Sequence, residues 1–326
     1  MNFCVVGKTF YSGLCGVLLL LVVGCASRPT TTPAKLAKPA PYLRTTQAED
    51  GTIALQVAMR QFTSPNKDRP VIWLCGVSHI GDTNYYAAVQ NHLDRQPLVL
   101  FEGIGGRPRK NQGDPNGLGL QTALARSLNL VFQLNTIDYE RSNFRNCDLS
   151  IAQLEEIINR QSGGDTMDEF QDMLDLMRGN SWVSIVVNIG LQWIGSDARL
   201  QALTRLAMID LLGSVEGDLS QAGGLPPEVT ELLRILIRER NQVVMTDLKK
   251  ILHQHNAPAG IAIFYGAGHM DDLEHRLTTT LGYQPTATEW LSAFAVNPQR
   301  SGVSETEISL VRSLVRWQMR QMKSPK

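Results

Sequence analysis

The chain has 326 residues, 43% of them hydrophobic and 19% charged, an ordinary globular balance that allows a sizeable core. Lys plus Arg and Asp plus Glu number 31 each, so the basic excess of a nucleic-acid binder is missing and that class of partner is set aside. This length accommodates one large domain or two small ones.

Residues 1–24 read as an export signal: one cation, Lys8, precedes the apolar run Leu18 to Val23, and small residues follow it. The run is shorter than a bilayer span requires. Val22-Val23-Gly24-Cys25 resembles a bacterial lipobox, which implies cleavage before Cys25 and lipidation of that cysteine; an uncleaved anchor helix is the alternative. The absence of an acidic residue directly after Cys25 resembles outer-membrane sorting. The expected address is therefore the bacterial cell envelope, facing the periplasm, with the membrane reached through the lipid. Residues 25–50, rich in Pro and Thr, predict an extended solvated tether. Beyond it only Cys75 and Cys147 remain, and Cys75, inside an apolar run, reads as a small buried hydrophobe rather than half of a disulfide.

From Ile53 a partly alternating strand runs to Phe62, and a turn at residues 64–68 leads to the apolar strand Val71 to Val77, which closes on Gly76-Val77-Ser78-His79. Asp82 or Thr83 caps a helix reaching Asp94, and Leu98 to Phe101 is a second apolar strand ending in Glu102-Gly103. This predicts a β-α-β unit whose adjacent parallel strands end in His79 and Glu102. The glycine-rich stretch from Gly103 to Gly119, with Arg107, Arg109 and Lys110, reads equally as a substrate lid or a disordered insertion. Residues of about 120–255 then form a helical insertion, one helix starting at Ile151 behind Asp148 or Ser150 as cap. In Trp182 to Ile194, Ser184, Asn188 and Gln192 recur at i+4, which predicts a polar stripe on a mostly buried helix.

After a long helix from about Glu228 to His253 comes the strand Ile261 to Tyr265, closing on Gly266-Ala267-Gly268-His269, then a helix to Leu281 and a strand near Thr288 to Val296. Ser304-x-x-Glu307 is a capping-box pattern opening a C-terminal helix within residues 301–326. Its Arg312, Arg316 and Arg320 row reads as a solvated face or as a contact to anionic lipid. The pattern as a whole predicts an α/β domain over residues 51–300, with a mixed or mostly parallel sheet built from two related β-α-β halves flanking a helical middle.

Two apolar strands that each end in Gly-x-x-His suggest one site at the carboxyl ends of a sheet. Two routes are open to His79, Glu102 and His269. Two neutral imidazoles and a carboxylate are ligands for a divalent metal (Zn, Mn or Co) and leave positions for water and substrate. Alternatively, the carboxylate orients a histidine that activates water without metal. Two unrelated structural histidines would also account for the spacing. Arg240 lies on the apolar face of the long helix, where a charge must be paired or face a polar cavity. It is either a structural ion pair or a cation for a substrate carboxylate or oxyanion.

Gly76-Val77-Ser78-His79, Leu98 to Glu102, Glu239-Arg240-Asn241 and Gly266-Ala267-Gly268-His269 stand in the order seen in the TraB, PrgY, GumN and TIKI superfamily, which the chain resembles from about Val71 to Val296. Residues Ile137 to Tyr139 and Asn143 to Asp148 are also similar to its bacterial members. The resemblance implies an α/β fold with two related halves and a site at His79, Glu102, His269 and Arg240. Animal members are described as metal-dependent proteases, and relatives include erythromycin-esterase-like hydrolases and haem-binding lipoproteins. The expectation is a metal-dependent hydrolase, peptidase-like, acting on a peptide or small molecule; the alternative is a non-catalytic haem- or peptide-signal-binding lipoprotein. One departure is Met270-Asp271-Asp272, where many members have a Leu-Pro-Gly-like turn.

Overall fold

The computed structural model describes residues 40–104, 119–162, 164–178, 182–214 and 226–323. The export signal, Cys25, most of the tether and the body of the glycine-rich stretch lie outside the described residues. In chain order the elements are β1 (Leu43–Gln47), β2 (Ile53–Thr63), β3 (Val71–Val77), β4 (Ile80–Gly81), α1 (Thr83–Asp94), β5 (Leu98–Phe101), α2 (Leu120–Ser127), β6 (Val131–Phe132), α3 (Gln133–Thr136), β7 (Phe144–Asn146) and α4 (Ile151–Gln161). They continue with α5 (Gly164–Arg178), α6 (Trp182–Ser196), α7 (Ala198–Gly213), α8 (Pro227–Leu252), β8 (Gly260–Gly266), α9 (Met270–Leu281), β9 (Gln284–Val296), a 3-10 turn at Gln299–Ser301, and α10 (Glu305–Lys323).

The chain is α/β, with a mixed sheet. One edge of β2 pairs with β9 along its whole length. A strand has only two edges, so β1 and β3 share the other: residues 53–57 pair with β1 and residues 59–62 with β3. Beyond β3 lie β8, β5 and β7, all parallel to it. Every residue of β8 is buried, as expected of a central parallel strand covered on both faces.

This order corrects one expectation. The strands ending in His79 and Glu102 are not neighbours, because β8 lies between them. The C-terminal strand β9 pairs antiparallel with β2, on the edge away from β3. Strand β1 brings residues before 51 into the domain, and β7 falls inside the stretch read as helical.

The two Gly-x-x-His halves differ by one residue in register. Their glycines correspond in sequence, yet Gly266 pairs with Val77 and Gly76 with Tyr265. A one-residue offset sends equivalent side chains to opposite faces of a sheet. Cys75 and Val77 accordingly join the core under α1, with Tyr86, Val89 and Leu93. Ile261, Ile263 and Tyr265 join the opposite core under α9, with Met270, Leu273 and Leu277. The two helices therefore approach the site from opposite faces.

Helix α8 joins two packing units. Val244, Leu248 and Ile251 lie on the sheet core, whereas Leu232, Ile235 and Leu236 cluster with Leu154 and Ile158 of α4 and Phe170 of α5. Arg240 and Asn241 fall between these stretches, where the helix passes the strands' carboxyl ends. Ser150, not Asp148, caps α4, in a reciprocal capping box with Gln153. Helix α6 inverts its sequence reading: Ser184 is buried, and Ile185, Val186, Ile189 and Trp193 are exposed. Cys75 and Cys147 are buried and unpaired. Among the described residues no helix is long and apolar enough to cross a membrane.

Arg60 Nη1 donates to Glu274 Oε2 at 2.5 Å, Tyr42 Oη donates to the same oxygen at 2.7 Å, and Arg60 Nη2 donates to Ala40 O at 3.0 Å. This buried group clasps the start of the described chain onto β2 and α9. Arg60→Met leaves the Glu274 carboxylate buried without its cation and is expected to lower the unfolding free energy by about 3 kcal/mol, read by urea denaturation.

Candidate functional site

His79 follows β3 in a turn held by two tyrosines of α1. Tyr86 Oη donates to Ser78 O at 2.8 Å, and Ser78 N donates to Tyr85 Oη at 3.2 Å. Behind the turn, β4 pairs with β6, which delivers Gln133: its N donates to His79 O at 2.9 Å and its Oε1 accepts from His79 Nδ1 at 2.9 Å. Gln133 Nε2 in turn donates to Tyr139 Oη at 2.7 Å. With the amide so oriented, His79 carries its hydrogen on Nδ1 and presents Nε2 to the site.

His269 is held by the same logic from the other face. Asn241 Nδ2 donates to His269 O (3.1 Å) and Asp272 Oδ2 (2.8 Å), both acceptors, which forces Asn241 Oδ1 toward His269 Nδ1 at 2.8 Å. His269 therefore also carries its hydrogen on Nδ1. Its Nε2 lies 3.7 Å from Glu102 Oε1 and 3.5 Å from Arg240 Nη1. With 1% of its side chain exposed, burial pushes its pKa down to about 4, against the opposing pull of Glu102, so it is neutral at neutral pH.

Glu102 stands between the histidines. Gly266 N donates to its Oε2 at 2.6 Å, and Arg240 Nη2 donates to its Oε1 at 2.5 Å. Burial by itself would raise its pKa. Arg240 foremost, then His269, His79 and the Gly266 amide, more than reverse this and hold the carboxyl well below its ordinary range. The close approach depends on Gly266. A Cβ there would lie 3.3 Å from both Glu102 Oε2 and His79 Nε2, so those atoms are within twice that distance of each other across the glycine. Gly266→Ala is expected to cost about 1–3 kcal/mol by overpacking. Gly190→Ala, in the helix interior of α6 with nothing near its Cβ, should instead gain about 0.5–1 kcal/mol; thermal unfolding of both variants checks the contrast.

Arg240, 4% exposed, is fixed by Asp148, a helix-cap candidate in the sequence and the last residue of the Asn143 to Asp148 stretch. Its Nε and Nη2 donate to Asp148 Oδ1 and Oδ2 at 2.9 and 2.8 Å. Asp148 also accepts from Gly103 N and Leu149 N. Burial opposes the charge of Arg240, but Glu102 and Asp148 together raise its pKa above the ordinary value. One guanidinium faces two carboxylates, so the group carries one net negative charge when both histidines are neutral.

The structure thus brings His79, Glu102, His269 and Arg240 together and adds Asp148, Asn241, Gln133 and Tyr139. A signal for Asp148 existed: a buried arginine requires a carboxylate with both oxygens available. Tyr139 lies in the Ile137 to Tyr139 stretch that resembles bacterial members, without a role attached to it, and nothing in the sequence marked Gln133. Cys25 lies outside the described residues. Two imidazole Nε2 atoms and a carboxylate, with each Nδ1–H held by an amide oxygen, have the donor chemistry of metal ligands. Among the described residues, however, no three such side chains stand in metal-holding geometry, and the Arg240 guanidinium contacts both Glu102 and His269.

Comparison with protein-family models, with curated proteins and with solved structures yields no match.

Proposed function

We propose that the chain is a hydrolase of the kind its motifs resemble, the paired Gly-x-x-His superfamily, cleaving peptide bonds at the bacterial cell envelope. The observation that carries this reading is the approach of His79 Nε2 and Glu102 Oε2 across Gly266, beside a buried guanidinium and at the carboxyl ends of parallel strands. His79 is the general base. It is the less buried imidazole, and its Nδ1–H is already held by Gln133. Glu102 stays ionised and orients charge around His79 instead of exchanging protons. Arg240 is a positioning residue, because its Nε and Nη2 are committed to Asp148 and Glu102. A divalent metal, if taken by His79, Glu102 and His269, would polarise the substrate carbonyl and acidify bound water.

The test is a peptide-library cleavage screen on the purified protein, with and without chelator, alongside metal analysis. Cleavage that vanishes in His79→Ala supports the reading, and chelator sensitivity assigns the metal. Stoichiometric capture of haem or peptide, without cleavage and unchanged in Glu102→Gln, would sink it in favour of a binding lipoprotein.

A further inference from the structure

Helices α6 and α10 are apolar on two opposite sides. At about 100° per residue, Leu310, Leu314 and Trp317 fall within roughly 60° of arc, facing away from Ile308 and Met319, which pack on the core. The same holds in α6. Leu191 and Ile194 pack inward on that core, while Ile185, Ile189 and Trp193 face out at i, i+4 and i+8. Trp193 is 72% and Trp317 52% exposed. Both helices flank α7 on the same side of the sheet, so both outer stripes point away from that side.

A folded domain gains nothing from two exposed tryptophan-bearing stripes in water, and such surfaces mark a contact. The charge around them indicates its nature. Helix α6 contains no Asp, Glu, Lys or Arg. Residues 308–326 carry Arg312, Arg316, Arg320, Lys323 and Lys326 and no acidic residue, in a chain of zero net charge. Arg312 is held by Asp210 of α7 at 3.4 Å, whereas Arg316 and Arg320 are exposed beside the apolar stripe. Leu and Trp on one arc with arginines flanking it is the composition of a helix lying in the interface of an anionic bilayer. Neither helix can span: α6, at 15 residues, is only about 22 Å long.

We propose that the outer stripes of α6 and α10 form a membrane-contact face that lays the domain on an anionic phospholipid surface. The contact is separate from lipidation at Cys25 and from the chemistry at His79 and Glu102. With Cys25 lipidated, the sixteen residues from Cys25 to Ala40 could span at most about 55 Å, which keeps this face within reach of the bilayer.

The full chain, incorporated in vesicles containing brominated lipid, tests this through its tryptophan emission. In phosphatidylethanolamine with phosphatidylglycerol, the parent should show a blue shift and quenching. Both should be lost in the double variant Trp193→Ser, Trp317→Ser. In Arg316→Gln, Arg320→Gln they should weaken toward the level seen in phosphatidylcholine, with circular dichroism confirming that every variant folds. Equal quenching in the parent and the double tryptophan variant would overturn the proposal. So would self-association in lipid-free buffer that Leu314→Glu abolishes, because the face would then belong to a second copy of the chain.

Discussion

Arg240→Met is expected to lower the unfolding free energy by about 4–5 kcal/mol, the cost of leaving buried carboxylates without their cation. Two acids lose their partner at once: Asp148, held by two guanidinium nitrogens, and Glu102, held at 2.5 Å. Arg240→Lys should recover little, because an ammonium cannot reproduce the fork that grips Asp148 and still reaches Glu102. Adding Glu102→Gln and Asp148→Asn to Arg240→Met should recover a substantial part, since the residual cost is burial of unpaired charge. The acid limb separates these cases. In the parent, the folded pKa of Glu102 lies below its unfolded value of about 4.3, so its stabilisation is complete above that pH and is lost as pH falls toward the depressed value. Without Arg240 the largest influence left on Glu102 is burial, which raises its pKa. The acid loss of stability due to Glu102 should then be smaller in Arg240→Met than in the parent. Urea midpoints from about pH 7 to pH 3 read both slopes, and a parallel pH dependence in parent and variant would refute the coupling.

Legibility of the site in sequence followed the hydrophobic pattern. His79, Glu102 and His269 could be picked out because each ends an apolar strand, and Arg240 because it interrupts an apolar helix face. What the pattern lacked was spatial order. Nothing in the apolar run of β8 announced that it would insert between β3 and β5, and that insertion puts Gly266 between His79 and Glu102. Neither did the motif echo disclose the one-residue register offset that sends α1 and α9 to opposite faces. The roles of Asp148, Gln133 and Tyr139 could not be read from periodicity, because they lie in or beside α3 and β7, elements too brief to carry a period. Helix α6 failed for a different reason. An apolar majority with a polar stripe at i+4 does not say which side faces the core, and here Ser184 turned inward while Trp193 turned out.

On the proposed chemistry, His79→Ala should reduce peptide turnover by about 10²- to 10⁴-fold, the usual contribution of a positioned general base. The more discriminating variant is Gln133→Leu. Gln133 touches no reacting atom in this reading; it sets which nitrogen of His79 is free by accepting from Nδ1, and Tyr139 Oη holds its amide in place. Removing it should lower turnover by about 10- to 100-fold, with much less change in KM, as for outer partners that orient a functional imidazole. A carboxylate in its place, Gln133→Glu, keeps the acceptor at Nδ1 and adds a charge that favours the imidazolium. Activity should then return in part, with the lower limb of the pH–rate profile moved upward, because the base holds its proton to higher pH. A merely structural role for Gln133 would show as lost stability with an unmoved profile. Turnover in Gln133→Leu equal to the parent, with the fold intact, would mean that Gln133 does not position His79 for the reaction. The same series run on His269 and Asn241 should give losses without a shifted limb, since His269, with its pKa near 4 and 1% exposure, takes no proton in the working range.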